Sequence, residues 1–263
     1  MKHIFQPFHL VTLSPWPLVT SVNLLSLMMS MGMMFNYKSK TTLYLSLILL
    51  IICSYQWWRD IVRESTFQGY HTVHVIETLK LGMIMFITSE VFFFIAFFWS
   101  YFHMFLSPSI QIGNFWPPMG MKFMLINPYQ LPLMNTIILI SSGMFLTMSH
   151  YALINKNLNM TKKMMMLTII FGMIFTIIQI YEYFEAPFSM FMSNYGTTFF
   201  MMTGFHGLHV MVGTIFIIIE YKRMSSMQFS NLHHIGFEAS AWYWHFVDVV
   251  WLFLFLFIYW WPF

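Results

Sequence analysis

Residues 81–104 read LGMIMFITSEVFFFIAFFWSYFHM, a run in which one carboxylate, Glu90, is set among mostly apolar side chains. Wound as an α-helix at ~1.5 Å per residue, the run is ~36 Å long, more than the ~30 Å hydrocarbon core of a bilayer. It reads as a membrane helix with Glu90 near its middle. An ionised side chain at that depth costs roughly 2.5–3.5 kcal/mol on insertion scales, so Glu90 is expected to be neutral, paired or turned toward a polar cavity.

The remaining composition fits such a setting. Only 8% of the 263 residues are charged and 59% are hydrophobic, with a mean hydropathy of +0.68, whereas a soluble domain carries about 25% charged residues. An integral membrane protein is expected. The 31 Phe and 27 Met, against five Ala, point to translation from an AT-rich genome and so to mitochondrial encoding. The opening MKHIFQPFHLVTLSPWP is broken by polar residues and proline where a cleavable secretory or transit segment would lie, so none is expected. Cys53 is the only cysteine, which excludes an intrachain disulfide and any multi-cysteine metal site.

Helix-length hydropathy places spans at about 16–36, 41–58, 78–105, 133–153, 163–184, 196–222 and 237–260. The runs are apolar on all sides and twice the length of barrel strands, so the fold class is all-α, with seven transmembrane helices. Two connections are long: 59–77, polar and charged, and 106–132, which holds five of the ten prolines. Seven spans put the two termini on opposite sides. Lys2, Arg59, Arg63, Lys80, Lys156, Lys162, Lys163, Lys222 and Arg223 then share the N-terminal side, leaving Lys38, Lys40 and Lys122 on the other. Nine against three predicts an N-terminus in the cytoplasm or mitochondrial matrix.

Ionisable residues fall at similar depth in several spans: Glu90 in the third, His206 and His209 in the sixth, His245 and Asp248 in the seventh. A proton relay or ion site is the functional reading; satisfied interhelical hydrogen bonds are the commoner outcome. Counting inward, Glu90 is twelve residues deep, His209 thirteen and His206 sixteen, differences of only ~2–6 Å at ~1.5 Å per residue. Glu90 is expected as a neutral acid bonded across helices to a neutral histidine, His206 first and His209 second. A His pair on one helix without thiolates is weak evidence for haem or metal, so no metal site is expected. Glu182 and Glu185, just before Pro187, read as a solvated helix end, and His233 and His234 as loop histidines. Trp57, Trp58, Arg59 and Arg63 are placed to meet lipid headgroups, with an ordinary interfacial belt as the alternative.

The blocks YQWWRDIVRESTFQG, SEVFFF, YEYFEAPF, GFHGLHV and HHIGFEASAWYWHFVDVVWLFLF closely resemble the subunit III family of mitochondrial cytochrome c oxidases. The likeness runs in register from SPWP at 14–17 almost to the C-terminus. It implies a core subunit of the haem-copper terminal oxidase (respiratory complex IV, reducing oxygen to water) in the mitochondrial inner membrane, N-terminus in the matrix and C-terminus in the intermembrane space. The partners it implies are subunit I as the main contact, subunit II, accessory subunits and membrane phospholipids, but no nucleic acid. Haem and copper are expected in the first two subunits and no cofactor in this chain, which supports proton uptake without carrying electrons. The resemblance also implies a two-helix unit (1–72) leaning away from a five-helix bundle (73–263) across a lipid-filled, V-shaped cleft. Glu90 matches the family's carbodiimide-reactive carboxyl. Trp58, Arg63, Glu64, His71 and His233 match its phosphatidylglycerol site, and Arg223 a cardiolipin contact. The reading from another class is a proton-coupled membrane transporter built around Glu90.

Overall fold

A computed structural model describes residues 7–10, 12–110 and 113–263; Lys2, counted in the charge bias above, lies outside them. Among the described residues eight α-helices follow in order: α1 Trp16–Tyr37, α2 Thr41–Thr66, α3 Val73–Leu106, the short α4 Met119–Lys122, α5 Leu131–Ile154, α6 Leu158–Glu185, α7 Asn194–Ser225 and α8 Ile235–Leu254. The chain of α8 continues through a π-helical turn, Phe255–Trp260. All but α4 are long and apolar enough to cross a membrane, which makes seven spans. Helices are the fold's answer to lipid because each satisfies its own backbone polar groups.

The charged connection expected over 59–77 is mostly helical. α2 runs on to Thr66 and α3 begins at Val73, leaving only 67–72 between them. A polar helical end satisfies its backbone while its side chains pair locally, so leaving the apolar zone does not require leaving the helix. Asp60 accepts a hydrogen bond from Trp16 Nε1 at 2.6 Å and lies 3.2 Å from Arg59 Nη2 and 3.6 Å from Arg63 Nη1.

Packing divides the chain into two compact units, Met1–Leu79 and Lys80–Phe263, with the boundary inside α3. In the first, α1 and α2 form a hairpin turned over Lys38, which takes a left-handed conformation with φ 55°. Small polar side chains line its seam: Ser30 Oγ and Ser46 Oγ are 3.1 Å apart, and Asn23 Nδ2 donates to Cys53 Sγ. Such contacts replace the hydrophobic drive that lipid removes between helices.

The second unit holds the core. Trp244 of α8 is fully buried because two glycines give it room. A Cβ on Gly172 of α6 would come within 2.8 Å of its ring, and one on Gly213 of α7 within 2.9 Å. The indole therefore wedges three helices together, and its Nε1 donates to Ser142 Oγ of α5 at 2.9 Å. About two turns further along α8, Trp251 likewise reaches α5, donating to Thr136 Oγ1 at 3.0 Å. α3 joins this unit through aromatic side chains, Phe93 meeting Phe205 of α7 edge-on at 5.1 Å and Tyr101 donating to the Phe257 carbonyl at 2.9 Å.

Candidate functional site

The intramembrane carboxyl has a partner. Glu90 Oε2 of α3 lies 2.9 Å from His209 Nε2 of α7, and the other ring nitrogen, Nδ1, lies 2.7 Å from the Phe205 carbonyl oxygen one turn earlier. A carbonyl only accepts, so Nδ1 carries a proton. A bare imidazole nitrogen facing a carboxylate would repel it, so the 2.9 Å contact holds a single proton, on the acid or on the ring. Both placements leave the pair with no net charge, which removes most of the cost of holding either group in lipid. Aromatic rings frame it: Phe94 sits 5.0 Å from the imidazole, Phe93 6.1 Å, Phe246 6.3 Å, and Tyr243 stacks at 6.4 Å and 16°. The Glu90 side chain is 24% exposed and that of His209 14%, so the pair sits at the rim of the bundle.

This reverses the expected order of partners. His206 is fully buried, lying edge-on to Phe175 at 5.7 Å and against Trp251 at 5.1 Å, and neither ring nitrogen has a hydrogen-bond partner among the described residues. Three residues along a helix amount to ~60° of rotation and ~4.5 Å of height. That difference turns His209 to α3 and His206 into the core.

The other ionisable side chains of the same depth do not join the pair through any hydrogen bond among the described residues. Asp248 lies 3.6 Å from His245 on its own helix and rests over Gly143 of α5, where a Cβ would come within 2.5 Å of its Oδ2. Among the described residues the layer holds one hydrogen-bonded pair beside separate, incompletely partnered groups, not a continuous relay.

Glu182 corrects a second expectation. It is not a solvated helix end but almost wholly buried, accepting from Tyr259 Oη at 2.7 Å and from Gln179 Nε2 at 3.3 Å. Asn135 of α5 adds a bond to Gln179 at 3.4 Å. Glu185, three residues on, is exposed as expected. The network was hidden because Asn135, Gln179 and Tyr259 come from distant parts of the sequence, and helix rotation decides which face of α6 is inside.

Of the residues matched to lipid contacts, four lie in the first unit. Trp58 is 61% exposed, and the Arg63 side chain is 56% exposed, approaching Asp60 at 3.6 Å as its one carboxylate contact among the described residues. Glu64 is nearly buried, accepting from Thr12 Oγ1 at 2.9 Å and lying 3.3 Å from His9 Nε2, so it braces the segment before α1 against α2. His71 is half-buried in the turn before α3. His233 and Arg223 belong to the second unit. Burial first, then the neighbouring His234 and Arg223, holds His233 below the usual imidazole range, so it is neutral at physiological pH. Arg223 grips both oxygens of Glu220 through Nη1 at 3.1 and 3.0 Å, donates from Nε to Gln228 at 3.3 Å and lies 4.5 Å from the centre of the Phe229 ring. Only Nη2 of its guanidinium is left outside these bonds.

The fold and the pair together define a class: a seven-span helical membrane protein with a charge-neutral acid–histidine couple at bilayer depth. Comparison with known proteins narrows it. A family model described as cytochrome c oxidase subunit III matches residues 6–263. The chain is 52% identical to cytochrome c oxidase subunit 3 of Rhipicephalus sanguineus over 98% of its length and 100% of that relative. It is 51% identical to the Anopheles gambiae protein of that name and 50% identical to the Drosophila melanogaster one, each over 98% of both chains. The chain belongs to the cytochrome c oxidase subunit III family.

Proposed function

We propose that this chain is a cofactor-free core subunit of a cytochrome c oxidase in the mitochondrial inner membrane, where it stabilises the catalytic subunit, binds phospholipid and sustains proton delivery during oxygen reduction. The observation that carries the proton role is the Glu90–His209 couple, which holds one proton at bilayer depth between two groups that can each accept it. The haems and copper of such a complex belong to its first two subunits. The nine-to-three division of Lys and Arg supports an N-terminus in the matrix and a C-terminus in the intermembrane space. Gentle detergent extraction tests the assignment. The chain is expected to co-purify with haem-bearing partners, whereas a chain that stands alone and moves solute in vesicles would be the proton-coupled transporter.

The lipid role rests on Arg63 and Trp58. A guanidinium this exposed, on the same helix end as the exposed Trp58 and with no closer carboxylate than Asp60 at 3.6 Å among the described residues, is suited to take a phosphate in a bidentate grip. Arg63→Ala is expected to lower the count of tightly bound phospholipid. An unchanged count and unchanged delipidation kinetics would place the lipid elsewhere.

A further inference from the structure

Side chains from two stretches distant in sequence converge where α5 ends and α8 begins. His150 Nε2 of α5 lies 3.1 Å from His234 Nε2, in the residue preceding α8, and His234 Nε2 lies 3.5 Å from Glu238 Oε1, in the first turn of α8. All three atoms fall within 4.8 Å of one another. We infer that His150, His234 and Glu238 form a binding site for a divalent cation of the zinc type.

Coordination geometry carries the inference. Tetrahedral zinc with nitrogen and oxygen ligands at ~2.0–2.2 Å holds those ligands ~3.3–3.5 Å from each other. The two measured edges, 3.1 and 3.5 Å, already lie within ~0.2 Å of that spacing. Tautomer is set correctly too. His234 Nδ1 lies 3.1 Å from the Ser230 carbonyl oxygen, which it can approach only as a donor, so the neutral ring presents its Nε2 lone pair to the cluster. The His150 ring is held by stacking on Phe237 at 5.5 Å and 27°. Lys80 Nζ takes the other carboxylate oxygen of Glu238, Oε2, at 2.7 Å, which leaves Oε1 facing the histidines. Two imidazoles and one carboxylate favour zinc over magnesium or calcium, which prefer all-oxygen shells. Three protein ligands leave the fourth position to water, and His150 and Glu238 are only partly buried, so an ion has a way in. Binding would tie the end of α5 to the start of α8.

The full-length chain, purified in detergent with whatever accompanies it and washed with chelator, is titrated with zinc-65. One equivalent is expected to bind that is lost in His234→Gln and weakened at least tenfold in His150→Gln and Glu238→Gln. Lys80→Met is expected to tighten binding severalfold, because it removes a cation beside the ion; this gain cannot come from misfolding. Identical isotherms for the wild type and the three ligand variants, or unaltered affinity in Lys80→Met, would overturn the site and leave a hydrogen-bonded His–His–Glu–Lys chain.

Discussion

Two carboxyl groups inside the membrane-spanning helices are handled in opposite ways. Glu182 is sealed in the core beside α6, with Tyr259 and Gln179 both donating to its Oε1. Glu90 stands at the rim of the bundle, a quarter exposed, with one strong partner, His209. The first arrangement is architecture: the acid ties the end of the chain to α6, with α5 one bond further on through Gln179, and removing it strands the donors that faced it. The second is chemistry: a single proton lies between two groups able to hold it, and few contacts depend on the acid for their position. A buried polar network fixes packing, whereas a pair at the edge can exchange its proton without unpacking anything.

Substitutions should separate the two. The largest loss is expected deep in the core, where Gly172→Leu drives a side chain into Thr214 and Trp244, atoms a bare Cβ would already approach to 2.5 and 2.8 Å. Extra methylenes in a packed core cost about 1–3 kcal/mol, and a whole isobutyl group with no room should exceed about 4 kcal/mol, which thermal unfolding in detergent should register unless the chain fails to accumulate. Next comes Glu182→Ala, which leaves Tyr259 and Gln179 with an unpaired donor each and opens a cavity. A loss of about 2–4 kcal/mol is expected by the same measurement, with Glu182→Gln much milder. If Glu182→Ala were silent, the contrast between the two acids would collapse.

At the rim the effect on stability should be small and the effect on the proton complete. Glu90→Gln keeps a hydrogen-bonding side chain opposite His209 and is expected to stay within about 1 kcal/mol of the wild type. Infrared difference spectra should nevertheless lose a protonated-carboxyl stretch in Glu90→Gln and shift it in His209→Gln. Loss of an ionised carboxylate band alone would place the shared proton on the imidazole. The smallest change is expected from His206→Phe, in which a ring already packed between Phe175 and Trp251 trades two unpartnered nitrogens for carbon. Its stability should be unchanged or slightly raised, and the Glu90 band should not move. A moved band would tie His206 to the pair after all.

Much of this could be read before any coordinates. The seven spans were legible because hydropathy is a local property, summed over twenty neighbouring residues, and Glu90 stood out because a charge at that depth has few tolerable explanations. The partner was not legible. His206 and His209 share a helical face, and only the rotation and tilt of α7 decide which meets α3; the depth count, twelve against thirteen and sixteen, already leaned toward His209. Glu182 looked like a wet helix end because Pro187 follows it, yet Tyr259 reaches it from the far end of the chain. The cluster of His150, His234 and Glu238 gave only a weak signal, an i, i+4 pair of His and Glu at the start of the last span.

The sequence by itself therefore determined that this is a seven-helix membrane protein, where its helices lie along the chain and which carboxyl demands a partner. Those follow from composition and spacing, which need no knowledge of neighbours. Tertiary structure alone decided that His209 and not His206 takes Glu90, that Glu182 belongs to the core, and that His150 meets His234 and Glu238. Each depends on how one helix is turned against another, and that angle is set by side chains such as Trp244 and the glycines that admit it, spread over the whole second unit rather than written in any one stretch.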